Sequence, residues 1–268
     1  MIGKNRMEID WTYVKRTSLW HYDELIQKIQ SVMEYIFVIQ YYNHSIKDAI
    51  SYSEKLQQGY ILNGKKPSQI NDIIETFILL YKNDVKDYKE LLQNVADKTK
   101  CESFLGIVDI EFEKLIQLLN FLFRWILPFK CTIRELVDTI PYADQNYIQT
   151  LKEFQIKSNL DVLEICRQKN QRLELSNKSK MSTKFLLDIT HRADISRLAY
   201  VRAKTIKHLC GGGYDTLMKI SSANYQKMKE NMTEYYKSLG KNYSDFQSVI
   251  PLDWMIGGAK VIPNIIEE

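Results

Sequence analysis

Three consecutive glycines at 211–213 invite comparison with a phosphate-binding loop. Backbone amides in a glycine-rich loop can cradle phosphates, but a nucleotide-binding loop ends in Gly-Lys-Ser or Gly-Lys-Thr before its helix. Here the triplet follows a helical pattern and continues as Tyr214, Asp215 and Thr216. We therefore predict that the glycines end one helix through a left-handed residue, and that Asp215 or Thr216 caps the next.

His191, His208 and Cys210 lie near the triplet and are residue types that bind metal ions. The sequence offers no fourth ligand at a usable spacing, so we predict no metal site and no cofactor. It also assembles no Ser/His/Asp set, no Cys/His set and no pair of carboxylates suited to acid–base work. We therefore expect no catalytic residues and a protein that is not an enzyme.

One short pattern keeps an enzymatic alternative open. The sequence from Arg16 to His21 matches the Arg-x4-6-His pattern of HEPN-type ribonucleases, and so does the sequence from Arg202 to His208. A motif this short recurs by chance, and Arg16 precedes the first helix that the sequence predicts instead of opening a late one. A HEPN-like ribonuclease is therefore a remote alternative.

Positive charge is concentrated in the carboxyl-terminal half. Lys plus Arg and Asp plus Glu number 17 each up to Lys130, so the net charge of +4 arises entirely beyond that residue. Eight basic residues fall within 178–208, against only Asp188 and Asp194. A local basic surface suits phosphate backbones or acidic partners, although it can also be an ordinary solvated face.

From this basic stretch we predict a set of nucleic-acid-binding residues. The cations would reach phosphates with their side chains, and the tyrosine would stack on a base; alternatively, the tyrosine packs against the neighbouring module. The set is Lys184, Arg192, Arg197, Tyr200, Arg202, Lys204 and Lys207.

Composition favours an all-α protein. The 268 residues include only 10 Gly and 5 Pro, too few turn formers for a many-stranded sheet protein. Four cysteines lie far apart, which is typical of reduced thiols. The polar amino terminus is unlike a signal peptide, and the apolar run 115–129 is too short to cross a membrane. We expect a cytoplasmic protein with no membrane contact.

Helical periodicity predicts a helical bundle over residues 1–130. Ser45 and Asp48 resemble a capping box for the second helix, 63–67 reads as a turn, and Ser68 reads as the next cap. Pro128 should stop the last helix. The four predicted helices are 22–43, 45–58, 69–97 and 108–127.

A second domain is predicted over residues 131–268. Thr132 and Glu135 form a capping-box signature at its start, and 167–180 reads as an exposed connection that is partly helical at most. An offset of 58 residues superimposes the apolar pattern of 140–156 on that of 198–214, which indicates a repeated helical module. Later helices are predicted at 182–191, 224–239 and 252–261, with Trp254 facing inward.

The order of these elements resembles the DUF4332 family, a domain of unknown function related to tandem helix-hairpin-helix proteins. The residues that carry the likeness are 186–198 and the corner at 213–216, and the similarity covers roughly 140–263. It implies two helical hairpins packed into one unit. In nucleic-acid-binding relatives a Gly-hydrophobic-Gly turn brings backbone amides to a phosphate. Both turns here lack glycine: Tyr142-Ala143-Asp144 in the first and Tyr200-Val201-Arg202 in the second.

Two functions follow as expectations. The first is a non-enzymatic protein that associates nonspecifically with DNA or RNA backbone through the basic face of a degenerate helix-hairpin-helix domain. The second is a protein–protein interaction adaptor without nucleic-acid binding, because glycine-free turns can be ordinary helical corners.

Overall fold

A computed structural model describes residues 9–60, 70–244 and 251–268, and over these residues the fold is all-α. The predicted turn at 63–67 and the predicted cap Ser68 lie outside the described residues. The helices in the amino-terminal half are α1 Thr12–Ser18, α2 Tyr22–Met33, α3 Ile36–Tyr42, α4 Ile46–Tyr60, α5 Ile70–Lys82, α6 Tyr88–Asn94, α7 Lys98–Leu105 and α8 Phe112–Phe121. Those in the carboxyl-terminal half are α9 Ile133–Val137, α10 Asn146–Glu153, α11 Asn159–Cys166, α12 Lys169–Ser179, α13 Thr183–Ile195, α14 Ala203–Gly211, α15 Leu217–Ser221, α16 Tyr225–Ser238 and α17 Leu252–Val261.

The amino-terminal half has more breaks than its apolar periodicity predicts. The predicted helix 22–43 divides into α2 and α3, because the backbone of Tyr35 is extended. The predicted helix 69–97 divides into α5 and α6. Asp84 adopts a left-handed φ of 58°, and the Asp87 carboxylate caps α6 by accepting the amide of Glu90 at 2.8 Å. Periodicity records which side chains are buried, and it continues across a break when both helices bury the same face.

Two further features of this half depart from the predicted bundle. Helix α7 was not predicted, although Asp97 caps it by accepting the amide of Lys100 at 2.9 Å. The predicted helix 108–127 begins later, as α8, and continues beyond Phe121 into a π-helical turn, Leu122–Ile126. Leu127 is extended, so the predicted end ahead of Pro128 is confirmed.

Capping signals in the sequence are accurate. Ser45 accepts the amide of Asp48 at 3.1 Å, and Thr132 and Glu135 form the predicted reciprocal box at the start of α9. Ser158 caps α11 together with Asp161. Each bond satisfies a first-turn amide that has no partner within its own helix.

The prediction of an exposed connection over 167–180 is wrong, because α12 occupies most of it. The helix is anchored by Arg172, which is buried and donates from Nη1 to the carbonyl oxygen of Cys166 at 2.8 Å. A second guanidinium nitrogen of Arg172 donates to the carbonyl oxygen of Glu267. Arg172 and Leu175 are the buried side chains of this helix. Because one of the two is charged, the segment lacks the apolar periodicity that would have revealed a helix.

The repeat expected in the carboxyl-terminal half extends to the backbone. In the first module, α9–α11, the amide of Ala143 donates to the carbonyl oxygen of Ile140 at 3.1 Å. In the second module, α13–α15, the amide of Val201 donates to the carbonyl oxygen of Leu198 at 3.1 Å. Further along, the bonds Ile156 to Leu151 (2.9 Å) and Tyr214 to Leu209 (2.8 Å) correspond at the same offset of 58. Each module ends with a left-handed residue, Gln155 or Gly213, and a capped helix.

A similar arrangement occurs in the amino-terminal half, where no repeated residue pattern predicts it. Asp84 is left-handed, the amide of Val85 donates back to Leu80 at 3.2 Å, and Asp87 caps α6. The bond from the amide of Ile46 to Lys86 (2.8 Å) corresponds to that from Ile133 to Lys157 (2.8 Å). The same backbone geometry recurs although the residues at equivalent positions differ, because backbone hydrogen bonds and burial determine it.

The predicted boundary at 130/131 stays a prediction, and tight packing crosses it. Helix α17 packs against both α4 and α15, and α3 packs against α11. The buried apolar side chains of both halves form one cluster. The predicted last helix, 252–261, has the observed bounds, and Trp254 is half-buried against Trp125 with ring centroids 5.6 Å apart. Within the described ranges, no helix is both long enough and apolar enough to span a bilayer.

Candidate nucleic-acid interface

The turn of the second module, 198–202, is docked against the amino-terminal half. Tyr200 has a left-handed φ of 61°, and its ring meets Trp125 edge-on with centroids 5.0 Å apart. Tyr200 remains 38% exposed. Its packing is the alternative considered for this residue, although the partner belongs to the π-helical turn and not to the other module.

Arg202 is held in the same junction. Its guanidinium carbon lies 3.4 Å from the ring centroid of Phe129, and Nη1 donates to the carbonyl oxygen of Val201 at 3.1 Å. Burial lowers the pKa of Arg202, while nearby Cys131 and Tyr200 raise it in part. The guanidinium is stacked on one aromatic face, but the residue as a whole remains exposed, so a phosphate contact by Arg202 stays a prediction.

Arg197 does not lie on the surface, which corrects its prediction as a phosphate contact. Its side chain is 0% exposed and forms an ion pair with Asp194. Nη1 donates to the Tyr42 hydroxyl at 2.8 Å, and Nη2 donates to the carbonyl oxygen of Pro263 at 2.9 Å. Burial alone would lower the pKa of Arg197, but Asp194 and Tyr42 raise it above its ordinary value. Arg197 therefore connects three parts of the core.

Arg192 is also buried, which corrects the same prediction. Its Nη1 donates to the carbonyl oxygen of Asp188 at 3.0 Å. Helix α13 packs against α9, α11, α12 and α15, so its polar residues from Thr190 onward are enclosed along with its apolar ones. Counting charges along the sequence could not reveal this enclosure.

Lys184 is exposed, but it lies beside the first module. Its Nζ is 5.0 Å from the ring centroid of Tyr142, in the turn of that module. The Tyr142 hydroxyl in turn donates to the Asp188 carboxylate. Lys184 opens α13, whereas Arg197 follows its end, so the predicted site residues do not form one continuous face.

Lys204 and Lys207 are exposed on α14, and the structure adds Lys241 to them. All three act on His208, which is only 7% exposed and packs against Tyr236 with centroids 4.9 Å apart. Burial lowers the pKa of His208, and the charges of Lys241, Lys204 and Lys207 lower it further. We call Lys204, Lys207 and Lys241 the lysine cluster. Lys241 could not be found from the sequence, because it joins the others only through the return of α16.

The glycine triplet ends α14, as predicted. Gly213 has a φ of 92°, and Thr216 caps α15 by accepting the amide of Lys219 at 3.1 Å. A β-carbon at Gly211 or Gly212 would collide with side chains of Tyr235 and Met232, so the glycines also allow α16 to approach. Among the described residues, no group of three His, Cys, Asp or Glu side chains is placed to hold a metal ion.

The two Arg/His pairs have different surroundings. Arg16 and His21 line one groove of about 580 Å³ together with Lys98, and Arg16 forms an ion pair with Asp10 at 2.7 Å. Arg202 is stacked on Phe129, and His208 is buried against α16. Only the first pair therefore lies open in a common groove.

Comparison with known proteins gave a family match for part of the chain. No curated protein and no solved structure gave a significant match. The matched segment begins at the turn of the first module and includes the whole second module with α16, so it contains the lysine cluster. Residues 142–249 match the family model of DUF4332, a domain of unknown function, which confirms the resemblance expected from the sequence.

Proposed function

We propose that this protein associates nonspecifically with the nucleic-acid backbone and performs no catalysis itself. The observation that carries the proposal is the lysine cluster: two exposed lysines of α14 and one that follows α16 all lower the pKa of the same histidine, His208. Cations held close together repel one another, and a polyphosphate backbone relieves that repulsion. The proposed location, the cytoplasm, follows from the sequence alone.

The mode of binding we propose differs from that of glycine-containing helix-hairpin-helix turns. The second module's turn faces Trp125 and Phe129, so its amides are not free to approach a phosphate in the usual way. The first turn carries Asp144, whose carboxylate accepts the amide of Asn146 at 2.8 Å and would repel phosphate. Long lysine side chains beside the turns would make the contacts, with modest affinity that falls steeply as salt rises.

Fluorescence anisotropy with labelled single- and double-stranded DNA and RNA at low salt tests this proposal. We expect binding in the micromolar range that weakens at least tenfold in Lys204→Glu/Lys207→Glu/Lys241→Glu. The matched control is Lys47→Glu/Lys55→Glu/Lys82→Glu, which reverses three exposed lysines of α4 and α5. Absence of binding by the native protein at about 50 µM, or equal losses in both triple variants, would refute the proposal.

The ring of His208 offers a second measurement. Because the lysine cluster depresses the pKa of His208, phosphates near these lysines should raise it toward the ordinary value. We expect an NMR titration of the ring to show this rise when nucleic acid is added. An unchanged pKa despite binding would place the contact elsewhere.

An adaptor function is the second candidate. The turn of the second module already packs on aromatic side chains within this chain, which shows that such a turn can form a protein interface. Apolar side chains on other elements, including Ile36 at 68% exposure and Ile107 at 80%, could contact a protein partner. Affinity capture from nuclease-treated lysate distinguishes the two candidates, because an adaptor's partner remains bound whereas a partner bridged by nucleic acid is lost.

A further inference from the structure

A cleft of about 370 Å³ lies where the second module meets the amino-terminal half. Its walls come from α1, α5, α8, the π-helical turn and the turn carrying Tyr200. The volume falls at the lower end of the range of small-ligand sites, roughly 300–1,000 Å³. The cleft is separate from the lysine cluster, which lies on α14 and after α16.

Two uncommon backbone conformations converge on this cleft. The π-helical turn Leu122–Ile126 supplies Arg124 and Trp125, and the left-handed Tyr200 supplies its ring. π-Helical turns inside α-helices occur frequently at functional sites. A bulky residue in the left-handed region costs about 1 kcal/mol or more. Both features place side chains around the same space, which points to a role in binding.

The polar groups of the cleft indicate what it would bind. The Oδ1 atom of Asn120 is buried and has no hydrogen-bond partner among the described residues. Gln117 Nε2 donates to the Tyr13 hydroxyl at 3.1 Å, which leaves its carbonyl oxygen to accept. An unpartnered buried carbonyl oxygen is costly in the free protein, and a ligand that donates to it, with the Asn120 side chain turned toward the cleft, would remove that cost.

Arg124 supplies positive charge beside these amides. Its Nη2 donates to the carbonyl oxygen of Ser18 at 3.0 Å, which fixes the side chain. A guanidinium has five N–H donors, so this bond leaves others for an anion. Two amides, an anchored guanidinium and the aromatic rings of Trp125 and Tyr200 thus line one cleft.

We propose that this cleft binds one nucleotide, either free or at the end of a strand. The rings contact the base, the amides of Asn120 and Gln117 bond to its polar edge, and Arg124 binds the phosphate. A purely apolar ligand would leave Asn120 unpartnered, and an inorganic anion would not use the rings. The proposal is independent of the lysine cluster, which contacts backbone phosphates without reading bases.

Isothermal titration calorimetry with AMP, GMP, CMP and UMP tests the cleft, with adenosine and ribose 5-phosphate as partial ligands. We expect saturable binding of at least one nucleotide and at least tenfold weaker binding of both partial ligands. Arg124→Gln should weaken nucleotide binding at least tenfold and leave adenosine binding unchanged. No saturable binding of any nucleotide at about 1 mM would overturn the proposal, as would unchanged affinity in Arg124→Gln.

Asn120→Leu provides a variant that we expect to keep its fold. Removing an unpartnered buried oxygen should leave the melting temperature of the free protein unchanged or higher, while the rise caused by a saturating nucleotide disappears. If Asn120→Leu binds as the native protein does, the proposal is wrong, even if Arg124→Gln fails to fold.

Separate ligands and variants distinguish the two sources of the nucleotide and the two proposals. A mononucleotide that binds as tightly as a 5′-phosphorylated tetranucleotide identifies a free nucleotide, whereas tighter binding of the tetranucleotide identifies a strand end. The triple glutamate variant of the lysine cluster should lose long-strand binding and keep the mononucleotide, and Asn120→Leu should do the opposite. Loss of both activities in either variant would contradict independent sites.

Discussion

The turns of the two modules share a backbone pattern but have different surroundings. Tyr142 and Tyr200 occupy equivalent positions at the offset of 58. Tyr142 is 50% exposed and bonds to Asp188 within its own half, whereas Tyr200 packs on Trp125 of the other half. A repeated backbone therefore does not imply a repeated role. The contacts made by each turn determine whether it faces solvent or fills an interface.

The same contrast holds at the residue before each turn. Arg197 in the second module occupies the position of Thr139 in the first, and both side chains are buried. The Thr139 hydroxyl donates to the carbonyl oxygen of Leu136 at 2.6 Å. Arg197 joins Asp194, Tyr42 and the chain near Pro263. Both modules make polar bonds to the amino-terminal half, the first through Asp161 and Glu164 of α11. At this pair of equivalent positions, however, the second module's residue makes such a bond and the first module's residue bonds within its own module.

The largest expected effect comes from giving the second module the first module's residue here. Arg197→Thr leaves Asp194 buried without its counter-charge, and removing one member of a buried ion pair costs about 3–5 kcal/mol. Thr139→Ala removes one hydrogen bond and should cost about 1 kcal/mol. Urea unfolding of both variants measures the difference. Equal losses would show that the polar connections do not distinguish the modules.

Tyr200→Ala and Tyr142→Ala test the two turns themselves. Loss of the Tyr200 ring removes the edge-on contact with Trp125, worth about 0.5–1.5 kcal/mol beyond the buried area, so Tyr200→Ala should reduce the free energy of unfolding more than Tyr142→Ala. The fluorescence of Trp125, isolated in a background where Trp11, Trp20 and Trp254 are replaced by Phe, should change only for Tyr200→Ala. A greater loss in Tyr142→Ala would reverse the comparison.

The sequence predicts local signals well because their causes are local. The caps at Ser45 and Thr132 and the stop at Gly213 involve residues within a few positions of one another, so the chain order contains the necessary information. Prediction from the sequence is wrong for the exposure of Arg192 and Arg197. A basic residue is ordinarily exposed, and only the packing around α13 shows that these two are buried.

The sequence predicts the candidate site incompletely for the same reason. Lys204 and Lys207 were found because they are close in sequence on an amphipathic helix, whereas Lys241 lies beyond α16. The cleft beside Asn120 combines α1, α5, α8 and the second module's turn, elements separated by up to about two thirds of the chain. The structure brings these residues together through packing, which no spacing rule encodes.

The left-handed residues that end the modules provide a third comparison. Gln155 has a φ of 62° and Gly213 a φ of 92°, and a β-carbon at Gly213 would meet no atom within 4 Å. Gly213→Gln should therefore reduce stability through backbone strain alone, by about 1 kcal/mol. Gln155→Gly should relieve strain and increase stability by a smaller amount. Thermal unfolding measures both changes, and a loss in Gln155→Gly would show that its side chain contributes packing.

The smallest expected effect is a pH dependence that belongs to the second module alone. His208 corresponds to Thr150 in the first module, and burial and the lysine cluster lower the pKa of His208 below the ordinary 6.5. The unfolded chain therefore binds the proton more readily. The contribution of His208 to stability is therefore fully present above pH 6.5. It is lost as the pH decreases from there to the pKa of His208 in the folded protein. His208→Thr should remove this component, leaving the similar contribution of His44, whose pKa burial also lowers. Urea unfolding at pH 5 and pH 8 measures it, and an unchanged difference between the two pH values would show that His208 does not titrate with folding.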